Sequence, residues 1–170
     1  MATRRESPAI LGVDPGSIVT GWALVAGSPE HPCVVAAGVI RTNSRLPFAD
    51  RLAAIQRGFV EVLAEHRPPL AAVEAPFHGV SASSALQLAH ARGVILAALC
   101  QAGVTPVEYS PAQIKKSVTG NGRATKEQVA FMVERLAGTR SVLHDLTDAV
   151  AVALCHQAHR PLLDRVRGSA

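Results

Sequence analysis

The chain has 170 residues, 48% of them hydrophobic and 18% charged, which favours one packed domain and excludes wholesale disorder. No apolar run reaches the roughly 20 residues of a membrane span, the N-terminal apolar stretch is too short for a signal peptide, and three distant cysteines exclude a disulfide framework, so we expect a cytoplasmic protein. The net charge of +4 suits a polyanionic partner, although an ordinary basic protein has the same charge.

The first half of the chain alternates short apolar runs with turn residues, a pattern typical of strands. The strands predicted in this half are residues 9–14, 21–26, 33–41 and 70–75. The first three are joined by short links and therefore predict an antiparallel meander. Apolar residues at helical spacing predict a helix over 48–65, which Pro68 ends.

The second half is mostly helical, with one strand predicted at 105–109. The predicted helices are 83–101, 110–118, 125–137 and 144–158. The predicted helices 110–118 and 125–137 begin at capping boxes, and helix 144–158 stops before Pro161. The order of elements predicts a single α/β domain over 1–170, with a five-stranded mixed sheet flanked by helices on both faces. We expect residues 1–7 and 161–170 to be flexible.

Four acids have placements that favour a shared site. Asp14 and Glu74 each end an apolar strand, and Asp145 and Asp148 are three residues apart on the last helix, so they face the same way. Four carboxylates at contact distance cannot all stay ionised unless cations relieve the repulsion. Mg²⁺ prefers such oxygen ligands, and two ions about 4 Å apart can promote phosphodiester cleavage.

An ordinary structural role explains the same acids nearly as well. Strand-end carboxylates are often solvated, and acids in the first turn of a helix stabilise its dipole. Spacing alone therefore leaves both interpretations open.

The order of four sequence blocks favours the metal-site interpretation. Together they resemble the RuvC family of Holliday-junction resolvases over residues 9–159. The blocks are 10–17 with Thr20-Gly21, 73–77 with 84–94, 109–118 with 120–122 and 126–129, and 145–156. Any one block is weak evidence, whereas four in the same order are specific.

The resemblance implies a ribonuclease-H-like fold and a homodimer that resolves four-way DNA junctions during recombination and repair. It implies paired symmetric nicks with 5′-phosphate ends, two Mg²⁺ ions per subunit that Mn²⁺ can replace, and the branch-migration proteins RuvA and RuvB as partners. Asp14, Glu74, Asp145 and Asp148 match the four metal-binding positions. His144 could join or replace Asp145, but Asp145 aligns without a gap. Ala75 departs from the glutamine that the family often has.

The remaining candidates concern DNA. Phe77 follows Glu74 in a loop and is expected to stack on bases, with a core plug as the alternative. Lys115 and Lys126, which match lysines of the family, and Arg123 are expected to contact phosphates, with a solvated basic face as the alternative.

Two different kinds of protein remain as alternatives. One is another nuclease of this fold that acts on RNA–DNA hybrids, and the other is a non-catalytic module that binds DNA junctions. We also expect the alanine-rich helix with Gly93, residues 83–101, to form the dimer contact.

Overall fold

The computed structural model describes residues 8–76, 81–138 and 146–167. The elements in chain order are β1 (Ile10–Asp14), β2 (Val19–Ser28), β3 (His31–Arg41), α1 (Phe48–His66), β4 (Leu70–Glu74), α2 (Ala82–Gln101), β5 (Pro106–Tyr109), α3 (Pro111–Thr119), α4 (Lys126–Ala137) and α5 (Thr147–Arg167). All five predicted strands are present, and α1, α2, α3 and α4 lie close to their predicted positions.

The strands form one mixed sheet in the order β3-β2-β1-β4-β5. The first three strands pair antiparallel, as the meander predicted, and β1, β4 and β5 run parallel. β2 and β3 are longer than predicted because their pairing continues to a tight turn, where Ser28 lies opposite His31. Gly27 permits this turn by adopting a φ of 88°. The five-stranded mixed sheet is therefore confirmed.

Each face of the sheet has its own hydrophobic core. Side chains that alternate along β1 divide between them: Ile10 packs in the core beneath α3, α4 and α5, while Leu11 and Val13 pack beneath α1 and α2. Because side chains on a strand alternate, Asp14 lies on the same face as Ile10. The first acid therefore points toward α5.

Gly12 lets α5 lie directly on β1. A Cβ atom at Gly12 would come within 2.1 Å of the Ala149 carbonyl oxygen and 2.8 Å of the Ala153 Cβ atom. Only glycine leaves room for this approach. The contact fixes the height of α5 along the strand, and it places Asp148, the neighbour of Ala149, near the end of β1.

The end of the last helix was predicted wrongly. α5 continues through Pro161 to Arg167, so the expected flexible tail from 161 is helical as far as 167. A proline removes one backbone hydrogen bond, but its fixed φ is close to that of a helix, and the chain beyond it can remain helical. The predicted start at 144 and the leader 1–7 lie outside the described residues.

α2 is apolar enough to be compared with a membrane span. Its 20 residues have a mean hydropathy of 1.2 in the best window, which makes it the single candidate among the described residues by length and composition. One such helix is weak evidence. Its buried residues, including Ile95 and Leu99, pack in the core with α1, and Arg92 forms an ion pair with Glu108.

Candidate active site

Three of the predicted acids converge at one edge of the sheet. Asp14 ends β1 and Glu74 ends β4, and these neighbouring strands are parallel, so both carboxyl groups leave the sheet at the same edge. The two carboxyl groups share a hydrogen bond. Asp148 joins them from the first turn of α5, close enough for its charge to act on both.

Burial and mutual repulsion make this acid pair reluctant to ionise. The pKa of Glu74 rises from 4.5 to about 8, first because burial disfavours the charged carboxylate and next because Asp14 is close. The pKa of Asp14 rises from 3.8 to about 6, for which burial is the main cause and the charge of Asp148 the second. A divalent cation placed here would remove the repulsion and allow both groups to ionise.

The three acids share a cavity of about 260 Å³ with two lysines, Lys115 and Lys126. The Lys126 ammonium group lies 3.5 Å from the Asp148 carboxylate, and the lysine side chain is 82% exposed. An ion pair this exposed adds little to stability. The arrangement therefore places the positive charge of Lys126 at the exposed rim of the cavity that the three acids line.

Capping boxes fix the starts of α3 and α4, the two helices that carry these lysines. Ser110 with Gln113 opens α3, and Thr125 with Gln128 opens α4, as predicted. Gly120 ends α3 with a φ of 79°, and the short turn that follows brings the start of α4 beside the cavity. Lys126, the first residue of α4, therefore faces Asp148.

Of the remaining predicted site residues, the described part of the chain includes Arg123 alone. Arg123 is exposed in the turn between α3 and α4, where its backbone amide donates to Asn121 Oδ1 at 3.0 Å, and it does not line the cavity. Phe77, Asp145 and its neighbour His144 lie outside the described residues.

The donors present suit a hard divalent cation. Three carboxyl groups line the cavity, and carboxylate oxygens are the ligands that Mg²⁺ prefers; a bound cation would relieve their mutual repulsion. Among the residues described, no group of three or more His, Cys, Asp or Glu side chains is placed to hold a metal ion by itself. Water or phosphate oxygens would have to complete the coordination sphere of an ion bound here.

Arg92 is a site residue that the sequence did not reveal. It lines a second cavity of about 150 Å³ together with Asp14, Pro15 and Glu74. Its guanidinium group contacts Glu108 on β5, and its Nε atom is buried without a partner among the described residues. The only sequence signal was a lone charge within an apolar helix.

A buried hydrogen bond ties α5 to the sheet behind the acids. The Tyr109 hydroxyl lies 2.9 Å from His156 Nδ1, and Tyr109 is the residue paired with Glu74 across β4 and β5. Cys155 and His159, which lie beside it, contact each other at 3.7 Å. Tyr109, His156 and Cys155 are buried, so they pack α5 against the sheet.

Sequence comparison places the chain among nucleases. The profile described as crossover junction endodeoxyribonuclease RuvC matches residues 10–156. A relative of that name from Halorhodospira halophila is 46% identical over 153 residues, which are 89% of this chain and 90% of the relative. Another from Alkalilimnicola ehrlichii is 43% identical over 94% of this chain and 97% of its own length.

Comparison with solved structures supports the same family as the sequence comparison. RuvC of Thermus thermophilus, solved in complex with a Holliday junction substrate, superimposes with a TM-score of 0.85 at 31% identity and covers 92% of this chain and 96% of its own. A yeast mitochondrial Holliday junction resolvase has a TM-score of 0.67 at 13% identity, covering 94% and 81%, and supports the fold alone. The predicted ribonuclease-H-like fold is confirmed, and the chain belongs to the RuvC family of crossover junction endodeoxyribonucleases.

Proposed function

We propose that this protein resolves Holliday junctions by metal-dependent hydrolysis of phosphodiester bonds. The observation that carries the proposal is the convergence of Asp14, Glu74 and Asp148 on one cavity that Lys115 and Lys126 also line. Family membership supports a nuclease. The solved junction complex of a relative at 31% identity favours four-way DNA over an RNA–DNA hybrid.

The acids of the cavity would hold Mg²⁺, with Mn²⁺ as a substitute. Asp14, Glu74 and Asp148 are the described ligands, and Asp145 is the proposed fourth. Two such ions, when bound, supply Lewis-acid stabilisation of charge on the phosphate and on the leaving oxygen. The products would carry 5′-phosphate ends.

The protein's own contribution is to hold these groups and bind the strand. Gly12 and the Tyr109–His156 hydrogen bond fix α5 against the sheet, so Asp148 stays opposite Asp14. Lys126 and Lys115 approach from the open side and would bind phosphate oxygens. Phe77, three residues after Glu74 in the sequence, is the proposed stacking residue, and Arg123 is the proposed peripheral phosphate contact.

Symmetric cutting needs two sites, so we expect a homodimer. The outer face of α2 offers a contact surface, since a Cβ atom at Gly93 would meet no atom of another described element within 4 Å and Leu86 is 61% exposed. An apolar groove formed with Leu52 of α1 continues this surface. Partnership with RuvA and RuvB and a cytoplasmic location also remain predictions.

A cleavage assay on synthetic DNA tests the function. A four-way junction should be cut in Mg²⁺ or Mn²⁺ by paired nicks on opposite strands, and chelation should stop the reaction. Linear duplex and RNA–DNA hybrid of the same sequence serve as controls. Faster cutting of the hybrid would replace the proposal with a hybrid nuclease, and junction binding without cutting in any metal would indicate a non-catalytic module.

A further inference from the structure

Arg51 of α1 is a buried cation without a counter-charge in the described part of the chain. The residue is only 7% exposed, and no described carboxylate forms an ion pair with it. The ring of Phe48 lies 5.4 Å from its guanidinium carbon. A buried charge is costly unless it is well bonded, so its hydrogen-bond partners indicate what it serves.

The partner of Arg51 is the loop that follows the first acid. Its Nη2 and Nε atoms donate to the Ser17 carbonyl oxygen at 2.6 and 3.2 Å. The Thr42 hydroxyl donates to the same oxygen at 3.0 Å. The loop consists of residues 15–18, which directly follow Asp14, and three donors thus hold one of its carbonyl groups inside the protein.

The neighbouring carbonyl groups are also held. The Gly16 oxygen accepts from the Thr20 hydroxyl at 2.9 Å, and the Ile18 oxygen accepts from the Thr42 amide at 2.9 Å. No hydrogen bond within the described residues uses the backbone amide of Ser17 or of Ile18. Ser17 is partly exposed and Ile18 is 40% exposed, so both residues lie at the protein surface.

We infer that loop 15–18 binds a phosphate of the DNA strand next to the one being cut, through the Ser17 and Ile18 amides. Successive free amides form a concave anion site, and a buried cation behind them adds positive potential. Arg51 is the positioning residue of this site. Since Pro15 lines a cavity with Asp14 and Glu74, the loop adjoins the acids. The inference rests on the proposed nuclease function.

Neutral phosphates in a junction test the contact one position at a time. Each phosphate within three positions of the cut is replaced by an uncharged methylphosphonate, and binding is measured without divalent metal. One replacement should weaken binding by the wild type about tenfold, the loss expected for a charge-assisted hydrogen bond. In Arg51→Met the same replacement should have little effect, because the amides are no longer fixed.

Arg57→Met is the matched control, since Arg57 is an exposed cation on the same helix. This variant should keep the wild-type penalty at the same phosphate. An identical penalty pattern in Arg51→Met, Arg57→Met and the wild type would overturn the inference, as would a wild type insensitive to every replacement. Should Arg51→Met not fold, Arg51→Lys and Thr42→Val, which each leave part of the bonding to Ser17, should give intermediate penalties.

A second measurement separates this inference from the proposed function. The amide resonances of Ser17 and Ile18 are followed by NMR during titration with inorganic phosphate, with chloride at equal ionic strength as the control. Saturable shifts with phosphate alone are expected in the wild type and in Arg57→Met, and weaker shifts in Arg51→Met. Equal responses to phosphate and chloride would refute the loop site, even if the protein cuts junctions. A protein that cuts nothing but shows the shifts would refute only the nuclease.

Discussion

Removing one crowded acid should stabilise the metal-free protein. Glu74→Gln eliminates the carboxylate whose pKa rises from 4.5 to about 8, while the amide can still donate a hydrogen bond to Asp14. Each unit of pKa shift corresponds to about 1.4 kcal/mol. Because Glu74 is partly exposed and shares its hydrogen bond with Asp14, we reduce the full value and expect a gain of about 2 kcal/mol near neutral pH.

The sign of the pH dependence provides the sharper test. A raised carboxyl pKa means that the folded wild type holds its proton more tightly than the unfolded chain. The contribution of the Glu74 carboxyl group to stability is therefore complete below pH 4.5 and is lost as the pH rises toward about 8. Glu74→Gln should melt about 4–8 °C higher than the wild type near neutral pH, and the difference should vanish in acid.

Thermal unfolding in chelator, followed by circular dichroism from pH 4.5 to 8, measures this difference. Glu61→Gln removes an exposed charge from α1 and should change stability by less than about 0.5 kcal/mol. Added Mg²⁺ should reverse the order, because the wild type gains more from binding the ion. If Glu74→Gln melts at or below the wild-type temperature throughout the range, burial and repulsion do not raise the pKa of Glu74 in the way inferred from the structure.

Four further predictions concern the same region. Asp148→Asn should reduce cleavage at least 100-fold, roughly the loss of a group acting on the transition state, yet leave junction affinity within a few-fold; wild-type cutting would remove Asp148 from the site. Lys126→Ala should lower the log–log salt slope of junction binding by about 0.9, and an unchanged slope would mean no phosphate contact. Gly12→Ala should cost more than about 2 kcal/mol in chemical denaturation, whereas a gain near 1 kcal/mol is expected for Gly93→Ala in the monomer; equal effects would contradict the close approach of α5. Phe77→Trp should retain cleavage and Phe77→Leu should lose it, and the opposite ranking in folded variants would favour a core plug.

Local sequence pattern was enough to predict most of the fold. The strands before Asp14 and Glu74 were evident because apolar runs ended in an acid, and the capping boxes at Ser110 and Thr125 fixed the starts of two helices. Hydrogen-bond pairing in the hairpin extended β2 and β3 beyond the apolar residues that identified them. Pro161 was misleading because an interior proline usually ends or kinks a helix, whereas α5 continues through it to Arg167.

Contacts between distant segments could not be predicted in this way. Arg92 and Glu108 lie on different elements, as do Arg51 and Ser17. Neither pair has a spacing rule, since each depends on how helices pack on the sheet. The convergence of Asp14, Glu74 and Asp148 was expected through family resemblance, because their spacing alone had left the dipole and solvation alternatives open.

The packing of α5 on β1 also determines when the cavity that holds the three acids can form during translation. β1 is the first described strand to leave the ribosome and α5 the last helix, and Asp148 reaches Asp14 only after Ala149 and Ala153 have settled on Gly12. A nascent chain that lacks α5 also lacks the helix that closes one hydrophobic core. Polypeptides truncated before α5 would carry Asp14 and Glu74 but lack Asp148, so under the proposed mechanism unfinished chains should not nick DNA.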